Sequence, residues 1–288
     1  MKLFILTVMN GLTLAALYFL VASGFTLVFG LMRNVNLAHG SLYLLGGYVG
    51  FTVADWTGSW FLGVAGGFLG MAVVGVILQV AVFRRMQGQD LRQTLVTIGL
   101  SIVLADLMLA TWGGQTYQFD PPSWLSGPVQ LMAHPVVKYP LYRLVLFGSA
   151  VVIGVGLWLL LNKTRIGMMI RAGVDDRGML SASGVNVQRV FAITFALGAG
   201  LAGFAGVVGG TALSIAPGED TRYLLASLVV VIVGGMGSVT GAAIGATLIG
   251  LAEQLGLVYS PTYGVVYTFL IMVAVLAFRP QGIMGRAA

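Results

Sequence analysis

The chain has 288 residues, of which 58% are apolar and only 8% charged, and its mean hydropathy is +0.96. A soluble domain carries about 25% charged residues, so a water-coated globule and low-complexity disorder are both excluded and lipid is left as the solvent. The formal charge of +6 fits basic cytoplasmic loops better than a nucleic-acid surface, and the absence of cysteine rules out disulfides and thiolate chemistry.

Apolar runs near or above the ~20 residues that cross hydrocarbon recur at 4–31, 38–56, 60–83, 94–112, 141–161, 190–213, 223–237, 241–257 and 263–278. The first run has the look of a signal peptide after Met1-Lys2. Its apolar stretch continues through Phe29, beyond an h-region of about 7–15 residues, so a membrane helix is expected. The seventh run is short and meets the eighth at a glycine-rich corner, so the pair reads as two spans or as two half-helices. The expectation is an all-α polytopic transmembrane helical bundle of eight or nine segments, forming one membrane domain over 1–288.

Orientation follows from the basic residues. With the C-terminus cytoplasmic and the N-terminus outside, Arg33, Arg84, Arg85, Arg92, Lys163, Arg165, Arg171, Arg177, Arg189, Arg279 and Arg286 lie inside. Lys2, Lys138, Arg143 and Arg222 lie outside, as the positive-inside rule requires. All eight prolines fall in connections, and Trp56, Trp60, Trp112 and Trp124 gather at outer ends with Trp158 near an inner one. The two long connections are the outer 113–140, rich in proline and aromatics, and the inner 162–188.

Enzyme signatures are missing. No P-loop, H-E-x-x-H or G-x-S-x-G occurs, no Cys/His spacing offers a metal site, and the two histidines, His39 and His134, lie far apart. The inner loop is more informative. From Thr164 to Gly184 it mixes apolar positions with Arg165, Arg171, Asp175, Asp176 and Arg177, while Met169, Ile170, Val174 and Arg177 keep helical spacing. Two readings fit: an interfacial helix on the inner leaflet, or a helix that docks into a groove of a cytosolic ATPase. At the first inner turn Asn34, Asn36, His39 and Ser41 enter an apolar segment, either capping the second span or lining the inner end of a pathway. Gly237, Gly241 and Gly245 recur every four residues, and Gly203, Gly206 and Gly210 form a similar stripe, as tight helix packing requires. The Gly234-Gly235 break either serves packing or exposes backbone to a cavity. Asp106 and Glu253 sit inside spans, where a charge costs about 2.5–3.5 kcal/mol or more, with no intramembrane cation visible as partner.

Three of these stretches resemble the permease subunits of bacterial branched-chain amino acid ABC importers. The segment Thr164, Arg165, Gly167, Ile170, Arg171, Ala172, Asp175, Gly184, Val185, Asn186 is similar to the family's T-[RK]-x-G-x-x-[IM]-R-A segment and its small-residue continuation. It departs at Gly173, Gly178 and Ser183, where alanine is commoner. Arg33–Gly50 and Val229–Gly250 resemble two further family segments, and Phe278-Arg279-Pro280-Gln281-Gly282 echoes the family's ending. The length fits the shorter, high-affinity-type permease. The resemblance implies a bacterial inner-membrane subunit that pairs with a second, related permease. Two cytosolic ATPases would use the ATP and an external solute-binding protein would deliver substrate, with no cofactor held by this chain. It assigns ATPase coupling to Thr164, Arg165, Gly167, Arg171, Asp175, Asp176 and Arg177. The candidate translocation residues are Asn34, Asn36, His39, Ser41, Gly234 and Gly235 within the resembling segments, together with Asp106 and Glu253, singled out as carboxylates inside spans. Leucine, isoleucine and valine are the expected solutes. The competing readings are an ABC permease for urea, amides or small carboxylates, an ion-gradient transporter working through Asp106 or Glu253, and a membrane assembly subunit.

Overall fold

The computed structural model describes residues 1–32, 35–132 and 137–285, without the side chains at 31, 32, 131, 175, 177 and 265. Helices dominate: α1 Lys2–Met32, α2 His39–Thr57, α3 Trp60–Ala81, α4 Asp90–Trp112, α5 Leu141–Lys163, α6 Arg165–Asp175, α7 Arg177–Ala182, α8 Val187–Leu213, α9 Glu219–Gly234, α10 Val239–Tyr259 and α11 Gly264–Phe278. Six of them, α1, α3, α4, α5, α8 and α10, are long and apolar enough to cross a membrane. The 19 residues of α2, 16 of α9 and 15 of α11 are too short or too polar to qualify by the same measure. One end of the bundle collects Trp60, Trp112 and the last turn of α8; the other collects Arg84, Arg85, Lys163 and Arg189.

The outer connection departs from the helical expectation. Pro128–Met132 (β1) and Val137–Pro140 (β2) pair antiparallel. The alternation in Val137-Lys138-Tyr139-Pro140 buries Val137 and Tyr139 and leaves Lys138 and Pro140 in the open, the two-residue period of a half-covered strand. Tyr139 then ties the hairpin to α1, its hydroxyl lying 2.8 Å from Thr13 Oγ1 and donating to Asn10 Oδ1 at 3.0 Å. The rest of the connection folds over the tryptophan end, with Phe119 and Leu125 buried and Tyr117 bridged to Ile215.

The helices pack as two similar sets of opposite sense. α3 crosses α8 as α10 crosses α1; α2 lies on α3, α8 and α4 as α9 lies on α10, α1 and α11; α1 meets α8, and α2 meets α9. The long helices α1 and α8 run antiparallel, Gly24 facing Gly198 and Leu17 facing Gly209. Such exchange of one half for the other with reversed direction is the inverted-repeat plan of many transporters. Small residues make the crossings possible. A Cβ on Gly203 would strike the Gly67 carbonyl oxygen, on Gly206 that of Tyr43, and on Gly250 the backbone of Ala15. With no hydrophobic drive between helices in lipid, this backbone-to-backbone contact is what holds them.

Two of the helices begin inside the bundle. His39, the first residue of α2, sits beside Val21 of α1, and α1 runs eleven residues further to Met32, about 16 Å at 1.5 Å per residue. The connector that returns from there includes Val35–Ala38. In the same way α9 opens against Gly40, below the level of Gly206, while α8 continues seven residues beyond Gly206 to Leu213, about 10 Å more. Residues 214–218 re-enter to reach it. The N-termini of α2 and α9 therefore meet in the interior, with α4 flanking one and α11 the other.

Candidate functional site

The meeting point of α2 and α9 is a concentrated polar site. Two helix N-termini bring two partial positive charges, and the side chains around them are rich in carboxylate. Ser41, in the first turn of α2, donates to Asp220 Oδ2 at 3.2 Å, so the α9 aspartate lies on the N-terminus of its neighbour. Arg222 follows, with Nη1 3.5 Å from Glu219 and Nη2 3.7 Å from Glu253. Glu253 is buried and its second oxygen accepts a 2.7 Å hydrogen bond from Tyr18 of α1. The ring of Tyr18 meets Tyr223 edge-on, and Tyr223 packs on Tyr43. Four helices (α1, α2, α9 and α10) are thus joined through one cluster. Glu253 does have a cation, then. Arg222 supplies it by reaching inward from a helix that starts deep, although the sequence places Arg222 at an outer end.

His39 is wholly buried at the same level. Its Nε2 lies 3.0 Å from the Val21 carbonyl, the ring meets Phe25 edge-on, and the close approach of Gly24 makes room for it. The capping expectation for this turn is corrected. The N-cap is Ala38, which has no side-chain bond. Asn36 Oδ1 instead accepts from the Ala38 N–H at 3.1 Å one turn earlier, and Ser41 is committed to Asp220. Asn34 lies outside the described residues. Asp106 is exposed on α4, where it lines a small cavity together with Asp220.

The break at Gly234-Gly235 packs against the last described residues of the chain. Its carbonyls are taken by the chain's end: Ile283 N–H donates to Val233 and Met284 N–H to Gly234, both at 2.9 Å. Gly235, at φ +107°, lies against Gly282 and Gly285, a backbone state and a closeness only glycine accepts. Gly241 and Gly245 press on Gly234 and Val230 of α9, Gly237 lies near Gly30, and Gly210 makes room for Phe119.

At the basic end the chain makes a second site. Thr164 caps α6, its hydroxyl accepting from the Gly167 N–H at 3.1 Å and donating to the Leu160 carbonyl at 2.6 Å. Gly167 backs directly onto Leu160 and Leu161, so α5 and α6 can double back without a side chain between them. The predicted continuous helix is instead two, because Asp176 ends α6 and caps α7, accepting from Gly178 and Met179 N–H at 2.7 and 3.0 Å. α6 is amphipathic. Ile170 and Gly167 are buried and Val174 lies near Gly30 of α1, while Arg165, Ile166, Met168 and Arg171 face out. Arg171 donates to Asn162 Oδ1 at 3.1 Å; the side chains of Asp175 and Arg177 lie outside those described. α6 rests on α1, α5 and α8, so the two helices that carry the central crossing also carry this loop.

Sequence reasoning missed Tyr18, Glu219, Asp220, Arg222 and Tyr223. A signal was present: between positions 190 and 278 the charged residues are Glu219, Asp220, Arg222 and Glu253, and three of them fall within four positions. Among the described residues no group of acidic or histidine side chains is placed to hold a metal ion.

Comparison with known proteins places the whole chain. The chain is 31% identical over 300 residues to the high-affinity branched-chain amino acid transport system permease protein LivH of Escherichia coli, covering 98% of this chain and 96% of that protein. It is 29% identical to the corresponding permease BraD of Pseudomonas aeruginosa, covering 96% and 94%. The ribose import permease RbsC of Escherichia coli is 27% identical, with 89% and 80% covered. No solved structure matches. The family described as the permease component of the branched-chain amino acid transport system matches residues 7–276, almost the whole of this helical bundle, and the chain is a member of that family.

Proposed function

We propose that this chain is one of two permease subunits of an ATP-driven importer and that it carries branched-chain amino acids across a bacterial inner membrane by alternating access. The single observation that carries the reading is the meeting of α2 and α9. Two helices that begin inside the bundle present their N-termini and a cluster of acidic and basic side chains there, and such groups within a membrane mark a solute path. The relatives' names supply the solute class. In this reading all nine of α1–α5 and α8–α11 lie in the membrane, with the N-terminus outside, the C-terminus inside and the tryptophan end facing out. α6 and α7 are the handle. An ATPase docked on the exposed Arg165, Met168 and Arg171 face moves α6, and α6 moves α1 and α8 beneath the junction.

An ion-gradient mechanism has less to work with, because Glu253 is already held by Arg222 and Tyr18. Reconstitution decides between them. Leucine uptake should require the second permease, the ATPases and ATP, and uptake by the purified chain under an ion gradient alone would sink the proposal. Within the assembly, Arg171→Glu should lower transport-linked ATP hydrolysis while leaving membrane insertion unchanged.

A further inference from the structure

Beside the junction, between α2, α4 and the entry to α9, lies a cavity of about 130 Å³ whose polar side chains are Asp106, Asp220 and Tyr48. Asp220 and Tyr48 are on its buried side, at 8% and 1% exposure, with Leu44 and Met108 as apolar wall. Asp106 and Gly218 lie at its open rim. Among the described residues neither carboxylate has an ion pair, and the side-chain hydrogen bond to Asp220 comes from Ser41 and reaches Oδ2, leaving Oδ1 without a partner. The Tyr48 hydroxyl is buried without any hydrogen-bond partner. Buried polar groups are nearly always satisfied, and carboxylates in a membrane protein are paired or face water. A buried carboxylate without a cation and an idle buried hydroxyl, with a second carboxylate at the rim of the same cavity, therefore point to a missing cationic donor.

We propose that this cavity is a subsite for a primary ammonium group, the α-ammonium end of the transported amino acid, held by Asp220 and Asp106 with Tyr48 as a third acceptor. An ammonium has three donors and no acceptor, which matches the free lone pairs of the two carboxylates and of the Tyr48 hydroxyl. The volume is a little below the ~150 Å³ that holds a benzene, so it admits the head of an amino acid and leaves the side chain on the rim side. The first N–H groups of α9 begin at Gly218 and favour the accompanying carboxylate there. The proposal rests on the transport reading above and adds Asp220 and Tyr48 to it.

The test is direct binding to the full-length chain in nanodiscs by saturation-transfer NMR. The probes are isoamylamine, which keeps the ammonium and loses the carboxylate, and isocaproate, which does the reverse. Isoamylamine should bind and isocaproate should not compete with it. Asp106→Asn and Asp220→Asn should each weaken the amine by about tenfold, as loss of a charge-assisted bond implies, and Tyr48→Phe by about threefold. Asp106 is exposed, so its variant keeps the test meaningful if the buried Asp220→Asn protein fails to fold. Equal binding of the two probes, or unchanged amine binding in Asp106→Asn, overturns the proposal. Displacement of the amine by sodium but not by choline at equal ionic strength would assign the cavity to an inorganic cation and overturns it too. Leucine uptake by the wild-type assembly, measured alongside, tells failure of the subsite from failure of the transport reading.

Discussion

The first turns of α2 and α9 hold corresponding places in the two halves of the bundle, yet α2 enters with His39, Gly40 and Ser41 and α9 with Glu219, Asp220 and Arg222. Packing is shared between the halves and charge is not. Shared packing asks only for small residues where backbones touch, and both halves supply them. The charge is concentrated in the second half and received by the first: Ser41 takes Asp220, Tyr18 takes Glu253, and Arg222 closes the set. A repeated scaffold can thus keep its packing while one of its two internal helix ends carries the charge.

The sharpest way to break the shared part is to thicken a crossing. Gly206→Val puts a side chain on the Tyr43 carbonyl, and Gly250→Val does the equivalent on Ala15. Overpacking a core costs about 1–3 kcal/mol and more when backbone must move, so neither variant should accumulate as folded protein in the membrane. Gly148 and Gly156 of α5 have nothing near their Cβ positions. There alanine should be tolerated and should strengthen the helix by up to about 1 kcal/mol. Equal yields for Gly206→Val and Gly156→Ala, measured by quantitative blot and size exclusion, would refute the crossing argument.

The specialised part breaks at Arg222. Its pairs are 3.5 and 3.7 Å long and half open to solvent, which weakens them, but Glu253 is buried and loses its only ion-pair partner among the described residues. Arg222→Met should lower thermal stability by roughly 1–3 kcal/mol, the cost of stranding a buried charged group. The double variant with Glu253→Gln should recover most of it, since an amide still accepts from Tyr18. A double-mutant cycle with no coupling would dissolve the cluster as a unit.

Much of the bundle was legible in the sequence because apolar run length and proline placement act locally. The nine predicted runs lie close to α1–α5 and α8–α11, and the glycine stripes fall on real crossings. Depth was not legible. Nothing in residues 35–38 or 214–218 announces that the chain turns back into the bundle, so Arg222 counted as an outer residue and Glu253 as unpaired. Chain re-entry is set by which helices pack beside it, a long-range fact. For the same reason the Gly234-Gly235 break could not be seen to be closed by Ile283 and Met284, fifty residues further on. The pairing of β1 with β2 was hidden because Pro128 and Pro140 read as loop residues, although they sit at strand ends.

The smallest expected effect separates the handle from both halves. Asp176 touches no part of the junction, yet it ends α6 and starts α7 by accepting two backbone N–H groups. Removing an N-cap costs about 1 kcal/mol, too little to lower the amount of folded bundle but enough to let a six-residue helix fray. Asp176→Ala should therefore leave thermal stability of the bundle within error and reduce substrate-stimulated ATP turnover in the reconstituted assembly by several-fold. Asp176→Asn keeps a capping oxygen at the same place and should retain most of the turnover. If the asparagine variant instead fails as badly as the alanine one, the charge of Asp176 rather than its cap is what the partner meets. The loop would then be a docking surface first and a lever second.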